Sequence, residues 1–364
     1  MKFIFLHLKK LDWVLIASAS LLVGMGLLSL YSSSLGLGDF SSFKKQIIFG
    51  CIGFFLMFLI SFFDWRTLKD DPYFILALYF ICLLSLLGLF FFAPEIRGTK
   101  SWYKIGPVSF DPIELTKIIL IILLAKYFSM RHIEMYRIRH ILFSGVYVVV
   151  PVVLIFFQPN LGSALILITL WIGILLISGI KIRHFLILLF CFALVFLCSW
   201  ATLLKDYQKE RVISFIAPQI EPLGIGWSQA QAKIAIGSGR IFGQGIGKGS
   251  QTRYGFLPAP QTDFIFAAIA EETGLVGVGI LFSSFLILLW RIIEIAISAR
   301  TNFPRIFAAG IAILLIPQIF IHIGMNLGIL PIIGISLPLV SYGGSGLISI
   351  FVGLGVLQSI KTHH

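Results

Sequence analysis

Ten apolar runs divide this chain, and each is close to the roughly 20 residues a helix needs to cross a bilayer. They are Trp13–Ser32, Gln46–Phe63, Tyr73–Ala93, Pro112–Met130, Ile141–Phe157, Leu161–Ile180, Phe185–Leu204, Phe264–Trp290, Ile306–Ile329 and Tyr342–Ile360. In hydrocarbon every backbone N–H and C=O must be satisfied internally, so runs of this length fold as helices. Only Gln158-Pro159-Asn160 separates the fifth run from the sixth, a tight hairpin with a proline break. The expected fold class is an all-α polytopic membrane protein of ten transmembrane helices, forming a single integral membrane domain over 1–364. Composition agrees, because 58% of the chain is hydrophobic and 12% charged, about half the charge of a soluble domain. A soluble enzyme, a disordered chain and a disulfide scaffold are excluded. Cys51, Cys82, Cys191 and Cys198 all lie inside apolar runs without metal-ligand spacing and read as small packing residues. No clear small-residue cleavage site follows the first run.

The positive-inside rule sets the orientation. With the N-terminus in the cytoplasm, 14 Lys and Arg fall in inside segments and 5 in the short outside loops. That bias places both termini in the cytoplasm. It puts the long segment Lys205–Asp263, between the seventh and eighth runs, on the outer face. This loop is glycine-rich, with nine Gly between Gly224 and Gly255, and predicts short interfacial or re-entrant helices joined by Gly turns. The net charge of +12 reports topology, not a nucleic-acid partner.

Charges inside spans cost about 2.5–3.5 kcal/mol each on insertion scales and mark functional sites. Glu114 and Lys117 are three residues apart, share one helix face and can pair. Either they form a structural bridge or they face a water-filled cavity. Lys126 lies nearer the cytoplasmic end and is expected to snorkel. Asp263 stands at the outer mouth of the eighth run, where it is either a helix N-cap or a functional carboxylate. Glu271 and Glu272 follow about two turns deeper, and one of them is expected to face the interior and take a structural partner. Ser341-Tyr342-Gly343-Gly344-Ser345-Gly346 allows close helix packing or offers N–H groups to a phosphate. The Gly237–Gly245 stretch lacks both the strand–helix context of a dinucleotide site and the Gly-Lys-Ser/Thr ending of a P-loop. These features describe an outward-facing polar site suited to an anionic, amphiphilic substrate, whether an enzyme's or a transporter's.

Five blocks then occur in a recognisable order. They are Arg97-Gly98 and Ser101-Trp102 leading to Asp111-Pro112-Ile113-Glu114-Leu115-Thr116-Lys117; Gln158-Pro159-Asn160-Leu161-Gly162; Tyr207-Gln208-Lys209-Glu210-Arg211; Ile234–Gly239 leading to Gly255-Phe256-Leu257-Pro258 and Thr262-Asp263-Phe264; and Leu337–Ser345. In this order the chain resembles the SEDS family (shape, elongation, division and sporulation) over nearly its whole length. Gly249-Ser250-Gln251-Thr252 is more similar to the rod-shape, elongation branch than to the division branch.

The resemblance implies a peptidoglycan glycosyltransferase of cell elongation, which polymerises lipid II into glycan strands and releases undecaprenyl pyrophosphate. The implied setting is the bacterial cytoplasmic membrane, with the active site on its outer face. The implied partners are lipid II, the nascent strand, a class B penicillin-binding protein acting as transpeptidase, and other membrane proteins of the elongation complex. In such a reaction a base takes the proton of the attacking sugar hydroxyl and positive charge meets the departing diphosphate. By analogy Asp263 is the catalytic base, and Arg97, Lys117 and Arg211 bind the diphosphate. Glu114 positions Lys117 or lines the cavity. Trp102 is an interface anchor or a substrate contact. Asn160 and Ser341 complete the expected substrate-binding set. A divalent cation, Mg or Mn, is compatible with this chemistry, although no dedicated metal box is present. Two departures stand out: Asn160 replaces the family's aspartate, and Ala259-Pro260-Gln261 replaces residues that include Glu and His. The rival readings are a lipid II flippase and a non-catalytic scaffold for the penicillin-binding protein.

Overall fold

The computed structural model describes residues 2–94, 101–106, 108–130, 138–202, 206–216 and 225–363. The elements run α1 (Lys2–Lys10), α2 (Trp13–Leu37), α3 (Ser41–Phe62), α4 (Arg66–Asp70), α5 (Pro72–Phe92), β1 (Tyr103–Ile105), β2 (Val108–Phe110), α6 (Pro112–Ser129), α7 (Ile138–Phe157), α8 (Leu161–Ile177), α9 (Ile182–Thr202), α10 (Asp206–Ile216), α11 (Ile225–Ser238), α12 (Ser250–Arg253), α13 (Ile265–Ser298), α14 (Asn302–Leu327) and α15 (Gly344–Thr362). Among the described residues, eight helices are long and apolar enough to cross a membrane. Helix α8 is shorter at 17 residues, and α6 carries Glu114, Lys117 and Lys126 within its 18 residues.

Helices α6 and α14 form the centre. Both bury most of their length, and α6 is covered on nearly every face from Pro112 to Phe128. Lipid tails supply no hydrophobic drive between helices, so close packing must hold them together. The contact of α3 with α15 meets that need with glycine. A Cβ at Gly355 would press on Met57 and Ile60, and one at Gly53 would enter the ring of Phe351. Helix α9 is the opposite case. None of its side chains is buried, and it meets the rest through contacts such as Phe192 against Trp171.

The two ends of the bundle are polar. At one end Arg291 Nη2 pairs with Asp12 at 2.6 Å and Arg291 Nη1 with Glu294 at 2.5 Å. There the Gln358 amide brackets the Asp12 backbone, accepting from its N–H at 2.8 Å and donating to its C=O at 3.1 Å. The other end gathers the N-termini of α3, α6, α8, α13 and α15, and carries the site.

Four local findings differ from the sequence expectations. A two-stranded antiparallel hairpin, β1 with β2, pairs Ile105 with Val108 between the third and fourth apolar runs, where hydropathy marks no element, and Gly106 turns it at φ +59°. Only Cys82 is buried, while Cys51, Cys191 and Cys198 lie on exposed faces. The Lys126 ammonium is covered and has no hydrogen-bond partner among the described residues. Glu271 and Glu272 are both buried, and each has its own partners.

Candidate functional site

Helix α6 begins at an Asp-Pro pair. Pro112 sits in the first turn, where its missing N–H costs nothing, and the Asp111 side chain caps the helix by accepting from Ile113 N–H at 2.9 Å. The first turn brings in Glu114, and Lys117 Nζ donates to Glu114 Oε1 at 2.6 Å. Lys117 is almost fully buried, while Glu114 keeps some exposure. Burial, then the nearby Glu114 carboxylate, push the Asp111 acid up to about 7, against the opposing pull of the Ile113 N–H and Lys117. Two carboxyl groups and one ammonium thus share the start of this helix. Asp111 also ties to the end of the chain, its N–H donating to Ser345 Oγ at 2.8 Å.

Glu114 lines a narrow cleft with Gln318 of α14 and the 336–347 segment, including Ser341. That segment is stiffened from inside the bundle. Gln46 donates to Ser341 C=O at 3.2 Å and accepts from Gly343 N–H at 3.3 Å. His322 Nδ1 donates to Ile335 C=O at 2.8 Å. The Ser341 hydroxyl accepts from Leu337 N–H and donates to Thr262 C=O, both at 2.9 Å. Tyr342 N–H donates to Gln261 C=O at 2.9 Å. The far wall of the cleft is therefore bonded to the turn that carries Asp263.

Asp263 is half-buried. It is not the cap of α13: the N-cap is Phe264, and no side chain of that residue bonds the helix. The capping acceptor comes from another helix, with Asn326 Oδ1 accepting from Ala267 N–H at 3.2 Å. The turn before it is tight. Thr262 N–H and Phe264 N–H both donate to Ala259 C=O, at 3.1 and 3.3 Å, and Ala259 adopts φ +44°.

Below Asp263 the glycine-rich stretch packs into a break in α13. Gly274 takes φ +64°, and a Cβ there would strike the backbone of Ile241 and Gly243. The chain at 239–247 occupies that gap. Leu275 N–H and Val276 N–H donate to Arg240 and Ile241 C=O, while Gln244 N–H and Gly245 N–H donate to Glu271 and Glu272 C=O. The two glutamates complete the seam. Glu271 accepts from Gln251 N–H at 2.7 Å, Thr252 N–H at 3.0 Å and Thr252 Oγ at 2.7 Å. Glu272 accepts from the Ser32 hydroxyl, which itself accepts from Gly247 N–H at 2.9 Å.

The remaining expected residues are scattered around this core. Arg97 lies outside the described residues. Trp102 is half-buried just before β1. Asn160 caps α8 by accepting from Ser163 N–H at 3.2 Å, and donates to Ser101 Oγ at 3.4 Å. Arg211 of α10 donates to Ile333 C=O at 3.3 Å, beside the cleft-lining segment. Among the described residues, no group of three His, Cys, Asp or Glu side chains is arranged to hold a metal. Sequence reasoning missed Gln46, Gln318 and Asn326. Each is an uncharged amide in an apolar run, and its rarity in such a run was the available signal.

Residues 12–364 match the family model FTSW_RODA_SPOVE, described as cell cycle protein. The chain is similar to peptidoglycan glycosyltransferase MrdB of Escherichia coli K12, 38% identical over 286 residues, covering 79% of this chain and 77% of MrdB. It is 32% identical over 365 residues to stage V sporulation protein E of Bacillus subtilis 168, covering 97% of each. Among solved structures it resembles a chain from a peptidoglycan synthase complex that coordinates polymerization and crosslinking, with TM-score 0.82, 32% identity and coverage of 96% and 97%. It also resembles the rod shape determining protein RodA of Thermus thermophilus, with TM-score 0.72, 28% identity and 96% of each chain covered.

Proposed function

The chain belongs to the FtsW/RodA/SpoVE family of cell cycle proteins, and from that premise we propose that it is a multi-pass membrane peptidoglycan glycosyltransferase of cell elongation, with Asp263 as its base. It polymerises lipid II on the outer face of the cytoplasmic membrane, and both its termini are cytoplasmic. One observation carries the reading. The turn bearing Asp263 is bonded through Ser341 to the wall of a cleft that is also lined by Glu114, the partner of Lys117. The turn that bears the carboxylate and the Glu114–Lys117 pair are thus tied to the same 336–347 segment, the grouping that a base for a sugar hydroxyl and a cation for a diphosphate call for.

Asp263 takes the proton of the acceptor hydroxyl as it attacks the anomeric carbon of the donor. The bond from that carbon to the diphosphate oxygen breaks, and undecaprenyl pyrophosphate leaves. Lys117 meets the charge that develops there and Glu114 fixes its direction, since a buried ammonium needs a partner. Arg211 and Arg97 add guanidinium groups, which suit bidentate phosphate contacts. Asn160 and Ser341 hold the walls through the bonds described above, and Trp102 offers an aromatic face at the rim. A divalent cation, Mg or Mn, is compatible with the substrate diphosphate, whose charge it would neutralise. The penicillin-binding partner cross-links the product, an assignment supported by the similarity to the synthase-complex chain.

The test is lipid II polymerisation by the purified chain with its transpeptidase-blocked partner, in moenomycin. Wild type should yield glycan ladders. Asp263→Asn should lose about 10²- to 10⁴-fold in turnover, the usual share of a general base, while still binding lipid II. Ladders from both proteins would remove Asp263 as the base. No ladder from either, with lipid II still bound, would favour the flippase or scaffold.

A further inference from the structure

The peptide that carries Asp263 is gripped from a neighbouring helix, α14. Asn326, near the C-terminal end of α14, is fully buried. Its Nδ2 donates to Asp263 C=O at 3.0 Å and to His322 C=O at 2.8 Å. Its Oδ1 accepts from Ala267 N–H at 3.2 Å. A side-chain amide has two donor hydrogens and one acceptor oxygen, and here all are engaged. One end holds the residue that bears the base. The other holds the first turn of the helix that the base precedes, a helix with no side-chain cap of its own. The Asp263 segment is consequently clamped between two neighbours. Ser341 and Tyr342 hold Thr262 and Gln261 on one side, and Asn326 holds Asp263 and Ala267 on the other.

We propose that Asn326 is a positioning residue for glycosyl transfer, fixing the Asp263 peptide so that its carboxylate meets the acceptor hydroxyl in register. The inference rests on the reading of Asp263 as base. The physical reason is geometric. A displacement of about 1 Å at a reacting group costs on the order of 10²-fold in rate, and a half-buried aspartate on a turn has no helix backbone to hold it. No aliphatic residue can replace the amide without removing the donor to Asp263 C=O and the acceptor for Ala267 N–H. Aspartate can still accept from Ala267, but when ionised it has no hydrogen to donate to Asp263.

The experiment compares Asn326→Ala and Asn326→Asp with Gln358→Ala, in the full-length chain with its cross-linking partner. Gln358 is a matched control, a buried amide that brackets the Asp12 backbone at the far end of the bundle. Turnover per folded molecule and lipid II affinity are both measured. Asn326→Ala and Asn326→Asp should lose about 10- to 100-fold in kcat, with lipid II affinity within about threefold. Gln358→Ala should keep turnover within about threefold even where it lowers thermal stability as much. Asn326→Asp should also recover relative to Asn326→Ala as pH falls, because the protonated acid regains a donor for Asp263 C=O. Turnover of folded Asn326→Ala within about threefold of wild type would overturn the proposal, and so would a loss confined to affinity. Asp263→Asn in the same assay separates the two readings. If it polymerises normally, the base assignment fails whatever Asn326 does; if it is dead while Asn326→Ala is unimpaired, only this inference fails.

Discussion

Replacing Glu271 by glutamine should release the outer glycine-rich segment from α13 without unfolding the bundle. The Glu271 carboxylate receives Gln251 N–H on one oxygen and Thr252 N–H and Oγ–H on the other. Glutamine keeps one accepting oxygen and presents an NH₂ group to donors on the other side. Hydrogen bonds to a charged acceptor are worth about 1.5–3 kcal/mol each, and a buried donor left unpaired costs about 1–3 kcal/mol. The local opening free energy around 244–253 should therefore fall by about 3–5 kcal/mol. At about 1.4 kcal/mol per factor of ten, amide exchange at Gln251 and Thr252 should quicken by roughly 100- to 4,000-fold. Glu272→Gln is the internal comparison. Its side chain accepts from the Ser32 hydroxyl and lies against Gly247 N–H, an arrangement that one amide oxygen can keep, so exchange over 244–253 should change by less than about tenfold. Hydrogen exchange of the protein in detergent or nanodiscs, read on peptides spanning 244–256, decides the matter. Exchange at Gln251 and Thr252 in Glu271→Gln within threefold of wild type would refute the assignment of Glu271 as the anchor.

Lys117→Met should cost about 3–5 kcal/mol, because it strands the Glu114 carboxylate beside a buried helix. Lys117→Met with Glu114→Gln should regain much of that stability but not polymerase turnover, as thermal unfolding and glycan-ladder assays on the same preparations would reveal. Asp111 supplies the pH dependence. Its acid is held near 7 by burial and by Glu114, against an ordinary value of 3.8. Between those values the folded chain binds more protons than the unfolded chain, so stability is greatest at low pH and falls as pH rises towards 7. The slope is at most about 1.4 kcal/mol per pH unit. Asp111→Asn keeps the cap on Ile113 and should flatten the unfolding midpoint across that window; an unchanged slope would show that another group is responsible.

Much of this protein is legible in its sequence because a bilayer leaves few choices. Uninterrupted apolar runs must become helices, so the bundle and the approximate ends of its long helices follow from hydropathy alone. The pairing of Glu114 with Lys117 follows too, since residues three apart on a helix face each other. The SEDS resemblance likewise rests on blocks of local sequence, which the family match bears out. Other features depend on which distant segments meet. Asp263 reads equally well as a helix cap or a functional carboxylate until α14 brings Asn326 to the start of α13 and supplies the acceptor there. Glu271 and Glu272 read as alternatives for one interior position, but the broken helix at Gly274 admits the 239–253 segment and both acquire partners. The Ser341–Gly346 turn offers N–H groups that a phosphate could use, yet packing engages two of them, Tyr342 N–H with Gln261 C=O and Gly343 N–H with Gln46. Hydropathy and helical periodicity act over a few residues along the chain. Hydrogen bonds between helices join residues such as Asp263 and Asn326, 63 positions apart, and only the packed bundle determines those partners.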